Sequence, residues 1–382
     1  MTNRFDIAVV GGGPAAATTA LCLARGGWRV ALVAPASSDG ARVGETLPPE
    51  INPVLRQLGL WESFLSQSPL ASPGTISVWG SAAPTEIDFT PNPFGCGWHV
   101  ERHRLDEMLL RHAADAGARI YSARVGCDRS SCIKAGDGWL IGDIYAAFLV
   151  DATGRNGLRL ENSAERHIED VLLAFVLSIS QDGTFLDQRT CIETTPDGWW
   201  YSSLVPDRNS VAMFFTGAEV YRNKRIAIAE QLQRAPLTRN RVDCGRLNGT
   251  RIVYVPCGYR RTIFGENWAA VGDSASSYDP LSGRGILKAL VQGRDAAQSI
   301  DARLRGNEDA IAGYASRVVA DFEAYAWQRK IHYAQEQRWL NRTFWRKRNV
   351  IWMRSQEPVQ RGREDPQVHT TELTEKAEDE VT

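Results

Sequence analysis

The first residues able to do chemistry in this chain form a turn, Gly11-x-Gly13-x-x-Ala16. It directly follows the apolar run FDIAVV and opens a run of small residues, PAAATTALCLA. Glycine at 11 permits a tight turn, glycine at 13 lets backbone approach a pyrophosphate, and a small residue at 16 lets a helix pack on a strand. A helix opening at Pro14 and Ala15 offers the phosphates free N–H groups and the positive end of its dipole. The acidic residue that often ends the second strand and holds a ribose is missing. That strand runs out as VALVAPAS, and the nearest polar candidates are Ser37 and Ser38.

Three further stretches carry usable groups. Trp268-Ala-Ala-Val-Gly-Asp273 reads as a strand ending in a carboxylate that can accept from sugar hydroxyls, and Asp279-Pro280-Leu-Ser-Gly283-Arg284-Gly285-Ile286 reads as a loop opening a helix. By itself the second stretch can also be read as a turn and a helix cap. Phe148-Leu-Val-Asp151-Ala-Thr-Gly154-Arg155 is another strand running into a glycine turn. Trp98-His-Val-Glu-Arg102 precedes a helix, and Arg102 is either a phosphate ligand or a solvated arginine. His99 and His103 are too sparse for a metal site, so no metal is expected. No Ser/His/Asp or Cys/His set emerges, and no catalytic residue can be named.

The elements that must position these groups follow from the apolar periodicity. A strand at 5–10, a helix to about Ala24 and a strand at 29–33 make one βαβ unit. A helix is expected over 54–64 and antiparallel strands over 75–80 and 85–89. Leu105, Met108, Leu109, His112, Ala113 and Ala116 share one helix face, which Gly117 ends. The runs LLAFVLSIS and SVAMFF predict a sheet between about 170 and 255, and helices follow at 283–303 and 308–340.

Composition excludes several classes. The 382 residues carry a net charge of −1, so no global field favours nucleic acid or an anionic membrane. The seven cysteines are odd in number and form no CxxC pair, which argues for reduced, buried thiols. No basic and apolar leader precedes the first strand, and the run Ile7 to Ala24 is interrupted by Gly11, Gly12, Gly13 and Pro14. A cytoplasmic protein without membrane or nucleic-acid partners is expected; oligomeric state is not legible.

In order, GGGPAA, VDATGR, GD and DPLSGRG resemble the FAD-dependent monooxygenases of the para-hydroxybenzoate-hydroxylase-like fold, over residues 5 to about 300. The resemblance implies an α/β fold: a Rossmann-type FAD-binding domain with an inserted mixed β-sheet substrate domain and a C-terminal helical segment. The expected divisions are 1–165 (FAD domain, with inserted strands near 75–100), 166–258 (substrate sheet), 259–305 (FAD domain again), 306–357 (helices) and 358–382 (a disordered tail). It further implies that Gly11, Gly13, Pro14, Ala15, Ala16, Arg42, Glu45, Thr46, Arg102 and Asp273 serve FAD, and that Pro280, Gly283, Arg284, Gly285 and Ile286 border the flavin. NAD(P)H or a partner reductase would supply electrons and O2 the oxygen. A flavin C4a-hydroperoxide would then hydroxylate an electron-rich aromatic group.

A narrower resemblance lies in Gly44-Glu45-Thr46-Leu47-Pro48-Pro49, Gly198-Trp199-Trp200-Tyr201, Glu336-Gln-Arg338-Trp339 and Phe344-Trp345-Arg346. These look like the halogenase-like branch, and within it the flavoproteins that mature tryptophylquinone cofactors by hydroxylating a tryptophan of a partner protein. Trp199, Trp200 and Tyr201 alternate faces on a strand, so at least one either lines a substrate pocket or packs in the core. The Arg- and Trp-rich stretch 325–352 is either a docking surface for a protein or peptide or a core helix with a basic face. Flavin-dependent halogenases, the nearest competitors, use a lysine downstream of the nucleotide turn, whereas the first lysine here is Lys134. Their Trp-x-Trp-x-Ile-Pro motif is also altered. A flavin reductase or dehydrogenase and a non-catalytic flavin-bound chaperone remain as alternatives.

Overall fold

The computed structural model describes residues 3–36, 45–126, 131–160, 165–180, 187–206, 209–223, 226–242 and 247–349. Arg42, Ser37, Ser38 and the tail at 358–382 lie outside these. The runs IAVV, VALVA and FLV are apolar throughout because both faces of the sheet they build are buried. Parallel strands Arg119–Ser122, Val30–Ala34, Asn3–Val10, Ile144–Asp151 and Trp268–Ala270 lie side by side in that order. Helices Pro14–Arg25 and Gly285–Leu304 pack directly on each other, and Gly293 approaches Thr18 too closely for a side chain. In the register, Val10 sits between Val33 and Asp151, so the turns that follow these strands emerge together.

A second sheet of eight strands carries Arg166–Ser180, Thr190–Thr195, Gly198–Val205, Asn209–Gly217 and Leu247–Arg260. The strands Gly74–Val78 and Thr85–Asp88, whose sequence neighbours are in the nucleotide domain, pair into it through Thr75 opposite Thr190. A small third sheet joins Thr46–Leu47, Gly97–His99 and Leu70–Ser72. The helix expected over 54–64 is two helices, Ile51–Gln57 and Trp61–Leu65, because Gly59 turns at φ 66°.

The helix Ala310–Gln335 buries Ile311, Tyr314, Val318, Phe322, Ala326, Arg329 and Tyr333, a single stripe at helical spacing. Those residues pass through three hydrophobic clusters in turn: Ile311, Tyr314 and Val318 under the first sheet, Phe322 and Ala326 in a small middle cluster, and Tyr333 under the second sheet. The helix therefore fixes the two sheets to one another. It stops at Gln335, short of the expected 340, because Glu336 turns extended and its buried carboxylate accepts from Gly80 N–H, Thr194 and Arg338.

Of the two readings of the stretch 325–352, burial favours the core helix. Trp345 and Phe344 are fully buried beside Tyr333. The guanidinium of Arg348 is enclosed and bonded to Asp170 and Glu219. Arg338 is tied to Glu336 and Thr194, which leaves Trp327 and Arg346 as exposed members; Trp352 lies outside the described residues.

Candidate active site

Between the two sheets lies a cavity of about 240 Å3, and three sequence motifs converge on it. At one end is the first glycine turn. Gly11 adopts φ 139°, and a side chain there would overlap the Ala152 carbonyl, so the turn closes against the neighbouring strand. Gly13 has nothing within 4 Å of where a side chain would start, leaving its backbone open to the cavity. Pro14 begins the helix and, with Ala15, lines the cavity, while Ala16 is fully buried against the sheet. Two cations flank this end. Arg102 lies at the start of helix Arg102–Asp115 with Nε 3.0 Å from Asp106, and Arg155 follows the strand ending in Asp151. The buried Nε of Arg155 makes no hydrogen bond within the protein, and its ion-pair partner is Asp273 at 3.4 Å.

Asp273 holds the middle of the cavity. Its Oδ1 is 2.8 Å from Lys288 Nζ and its Oδ2 is 3.4 Å from Arg155 Nε. Burial opposes its ionisation, but Lys288 and Arg155 more than offset that and hold the carboxyl below the usual carboxylate range. Pro280, Gly283 at φ 59°, Gly285 and Ile286 line the same side, and the helix Gly285–Leu304 starts there. Asp279 caps this turn by accepting from Leu281 N–H at 2.9 Å, and its other oxygen is held by Arg329 at 2.8 Å and Tyr333 at 2.9 Å.

The opposite wall comes from the second sheet. Trp199 stacks on Phe215 with centroids 4.2 Å apart, and Met213, Ala174 and Val255 complete an apolar surface. Tyr201, two residues on from Trp199, faces the same way, with Glu45 and Thr46 at its edge. A directional hydrogen-bond chain runs from here. His99 Nε2 donates to the Gln188 carbonyl at 2.7 Å, so its Nδ1 accepts from Thr46 at 2.9 Å. Thr46 in turn accepts from the Tyr201 hydroxyl, which accepts from Ser203 at 2.8 Å. Burial lowers the His99 pKa to about 4, keeping the ring neutral, and burial with the nearby Glu45 charge raises that of Tyr201.

Thirteen of the residues singled out from sequence line this cavity: Gly13, Pro14, Ala15, Glu45, Thr46, Arg102, Asp273, Pro280, Gly283, Gly285, Ile286, Trp199 and Tyr201. Gly11 and Ala16 shape the turn from behind. Trp200 points to the other face of its strand, fully buried against Phe214 with its N–H on the Gln231 carbonyl. Arg284 turns outward to Glu50 at 3.2 Å. The sequence reading assigned no role to three groups. Asp151, fully buried, binds Arg260 at 2.7 Å, Thr153 at 2.6 Å and Leu158 N–H at 2.7 Å, shaping the turn that carries Arg155. The other two are Lys288 and the Arg329–Tyr333 pair; a lone lysine amid Ile286, Leu287, Ala289 and Leu290 was the available signal for the first.

A nucleotide-binding turn, a carboxylate at a strand end and a helix start around one cavity fit FAD, and the arrangement is that of an FAD-dependent enzyme of the halogenase-like flavoprotein branch. The chain belongs to the tryptophan halogenase family, whose model matches residues 78–372, and an FAD-binding-domain model matches residues 4–126. A Marinomonas mediterranea protein named as an FAD-dependent oxidoreductase, LodB, is 26% identical over 368 residues, covering 91% of this chain and 98% of its own. Among solved structures, the myxobacterial chondrochloren halogenase CndH matches with TM-score 0.77 at 21% identity, over 91% of this chain and 86% of its own. QhpG, a peptidyl tryptophan dihydroxylase essential for tryptophylquinone cofactor biogenesis, matches with TM-score 0.74 at 22% identity, over 90% and 78%. Both structures share the fold. Among the described residues no helix is long and apolar enough to cross a membrane.

Proposed function

We propose that this protein is an FAD-dependent monooxygenase that hydroxylates an electron-rich aromatic ring, a tryptophan carried on a partner protein or peptide. One observation carries the reading: the FAD-type turn and the Trp199–Phe215 wall face one cavity, which Glu45 also lines. Bound FAD, reduced by NAD(P)H or a partner reductase, supplies activation of O2. The protein's own residues do the rest. Gly13, the helix start at Pro14, Arg102 and Arg155 bind the phosphates, and Asp273 accepts from the ribityl chain. Trp199, Phe215 and Met213 exclude water and hold an aromatic ring by stacking. When a ring carbon gains oxygen it must lose a proton, and Glu45 is the group placed to accept it. Tyr201 does not donate into the cavity, since its O–H is committed to Thr46. The likeness to QhpG supports a peptidyl tryptophan as substrate.

Halogenation is the second reading, favoured by the family itself and by the fold shared with CndH. Against it, no lysine precedes Lys134, and no described lysine lines the cavity beside the aromatic wall. The test is one reaction: reduced FAD, O2, bromide and a tryptophan-bearing peptide, read by product mass. Gain of oxygen supports hydroxylation. A brominated indole replaces this reading with halogenation, and efficient oxidation of free tryptophan or a simple phenol removes the protein-substrate part.

A further inference from the structure

The helix Gly285–Leu304 starts at the cavity, and within its first turn it carries Lys288, only 8% exposed. A buried ammonium is unfavourable unless each of its donors finds a partner. Here the partners are Asp273 Oδ1 at 2.8 Å, the Ser276 carbonyl, and the face of the Tyr278 ring at 4.7 Å. Lys288 is absent from the lining of the FAD-type cavity but lines a second, wider cavity of about 850 Å3 on the far side, and Tyr278 and Ser282 line both. It thus stands behind the wall that presents Asp273. The charged groups around the pair are Arg155 after the strand Ile144–Asp151, Arg166 on the strand Arg166–Ser180 with its guanidinium on the Asp273 and Ser274 carbonyls at 3.1 Å, and Arg102 on its own helix, with the neutral Tyr278 phenol beside them.

We infer that Lys288 is a positioning residue for the flavin: it holds the Asp273 carboxylate ionised and directed into the cavity, and it places a fixed positive charge behind the end of the cavity where the helix starts. The two effects act differently. Holding Asp273 aids FAD in either oxidation state. A buried cation beside a helix N-terminus aids the reduced, anionic flavin more than the oxidised one. Lys288 therefore raises the midpoint potential of the bound flavin. A lysine that merely filled space would stabilise both states alike and leave the potential unchanged.

This inference rests on the reading that Asp273 belongs to the FAD site, so D273N serves as the control beside K288M and K288R. Each full-length protein is loaded with FAD, and its affinity for oxidised FAD is measured by fluorescence quenching from pH 5 to 9. Its midpoint potential is measured by spectroelectrochemistry. K288M should weaken FAD binding and make the potential more negative by about 30 mV or more, a tenfold loss in preference for the reduced form for a two-electron couple. Its affinity should also fall toward acid at a higher pH than in the parent, because Asp273 has lost its main counter-charge. K288R should restore most of the potential. If K288M does not fold, K288Q replaces it and the same shift is required. If D273N leaves affinity unchanged, the site reading fails. If D273N weakens binding while K288M or K288Q keeps the parent potential and pH profile, or if K288R restores nothing, the role of Lys288 is overturned.

Discussion

Because His99 is fully buried and both its ring nitrogens are committed, mild acid should destabilise the fold through this imidazole. Protonation would put a hydrogen on Nδ1, facing a threonine oxygen already committed to donating there. The chain from Ser203 through Tyr201 and Thr46 would have to reverse. Burial, with Arg241 nearby, takes its pKa from 6.5 to about 4, opposed in part by the bond to Gln188. The unfolded chain therefore binds a proton between these values that the folded chain refuses. Stability from this group is complete above about pH 6.5 and is lost as pH falls toward 4. At about 1.4 kcal/mol per pH unit the whole loss comes to roughly 3 kcal/mol, of which roughly 2 kcal/mol is gone by pH 5. Urea unfolding of the parent and His99→Asn at pH 7.5 and pH 5 measures it, since the asparagine oxygen can still accept from Thr46 and the exposed histidines cancel. The variant will be less stable at pH 7.5, but its loss on acidification should be smaller than the parent's by roughly 2 kcal/mol. Equal losses in the two proteins would refute the argument.

Three further outcomes follow from the same geometry. Gly11→Ala should abolish FAD uptake, seen as loss of the bound flavin spectrum, because the new side chain meets the Ala152 carbonyl at a φ that disfavours it. Glu45→Gln should keep FAD bound yet lower turnover by about 10²-fold or more, the usual worth of a positioned proton acceptor; unchanged turnover would remove Glu45 from the mechanism. Arg348→Met should cost about 3 kcal/mol in chemical denaturation by leaving Asp170 short of a buried partner, whereas Arg346→Glu, on the exposed side of the same short helix, should fall within about 0.5 kcal/mol of the parent.

The parts of the site that could be read in advance are those whose chemistry is local. The turn at Gly11 and Gly13 and the helix start at Gly285 depend on residues within a few positions, and their side chains declare it. The alternation of Trp199, Trp200 and Tyr201 gave their parity but not which face met the cavity, because that depends on the neighbouring strand carrying Phe214 and Phe215. Pairings between distant segments left no mark in either partner alone. Thr75 opposite Thr190, Asp151 with Arg260, and Asp279 with Arg329 are of this kind. Composition could not decide the C-terminal stretch, where arginine and tryptophan fit a docking surface and a core helix alike. Arg348 and Trp345 are core residues, since buried aspartate and a carbonyl supply their partners.

The order in which the chain is made bears on when it can hold its cofactor. A ribosome delivers the nucleotide turn first, and by residue 305 every element of the first sheet has emerged. Asp279, which caps the turn at Pro280 on the cavity wall, is still unclamped then, because Arg329 and Tyr333 arrive 50 and 54 residues later. Asp170 waits longer still, 178 residues, for Arg348. A nascent chain thus has the Gly11–Gly13 turn in place while the turn at Asp279 waits for its clamp.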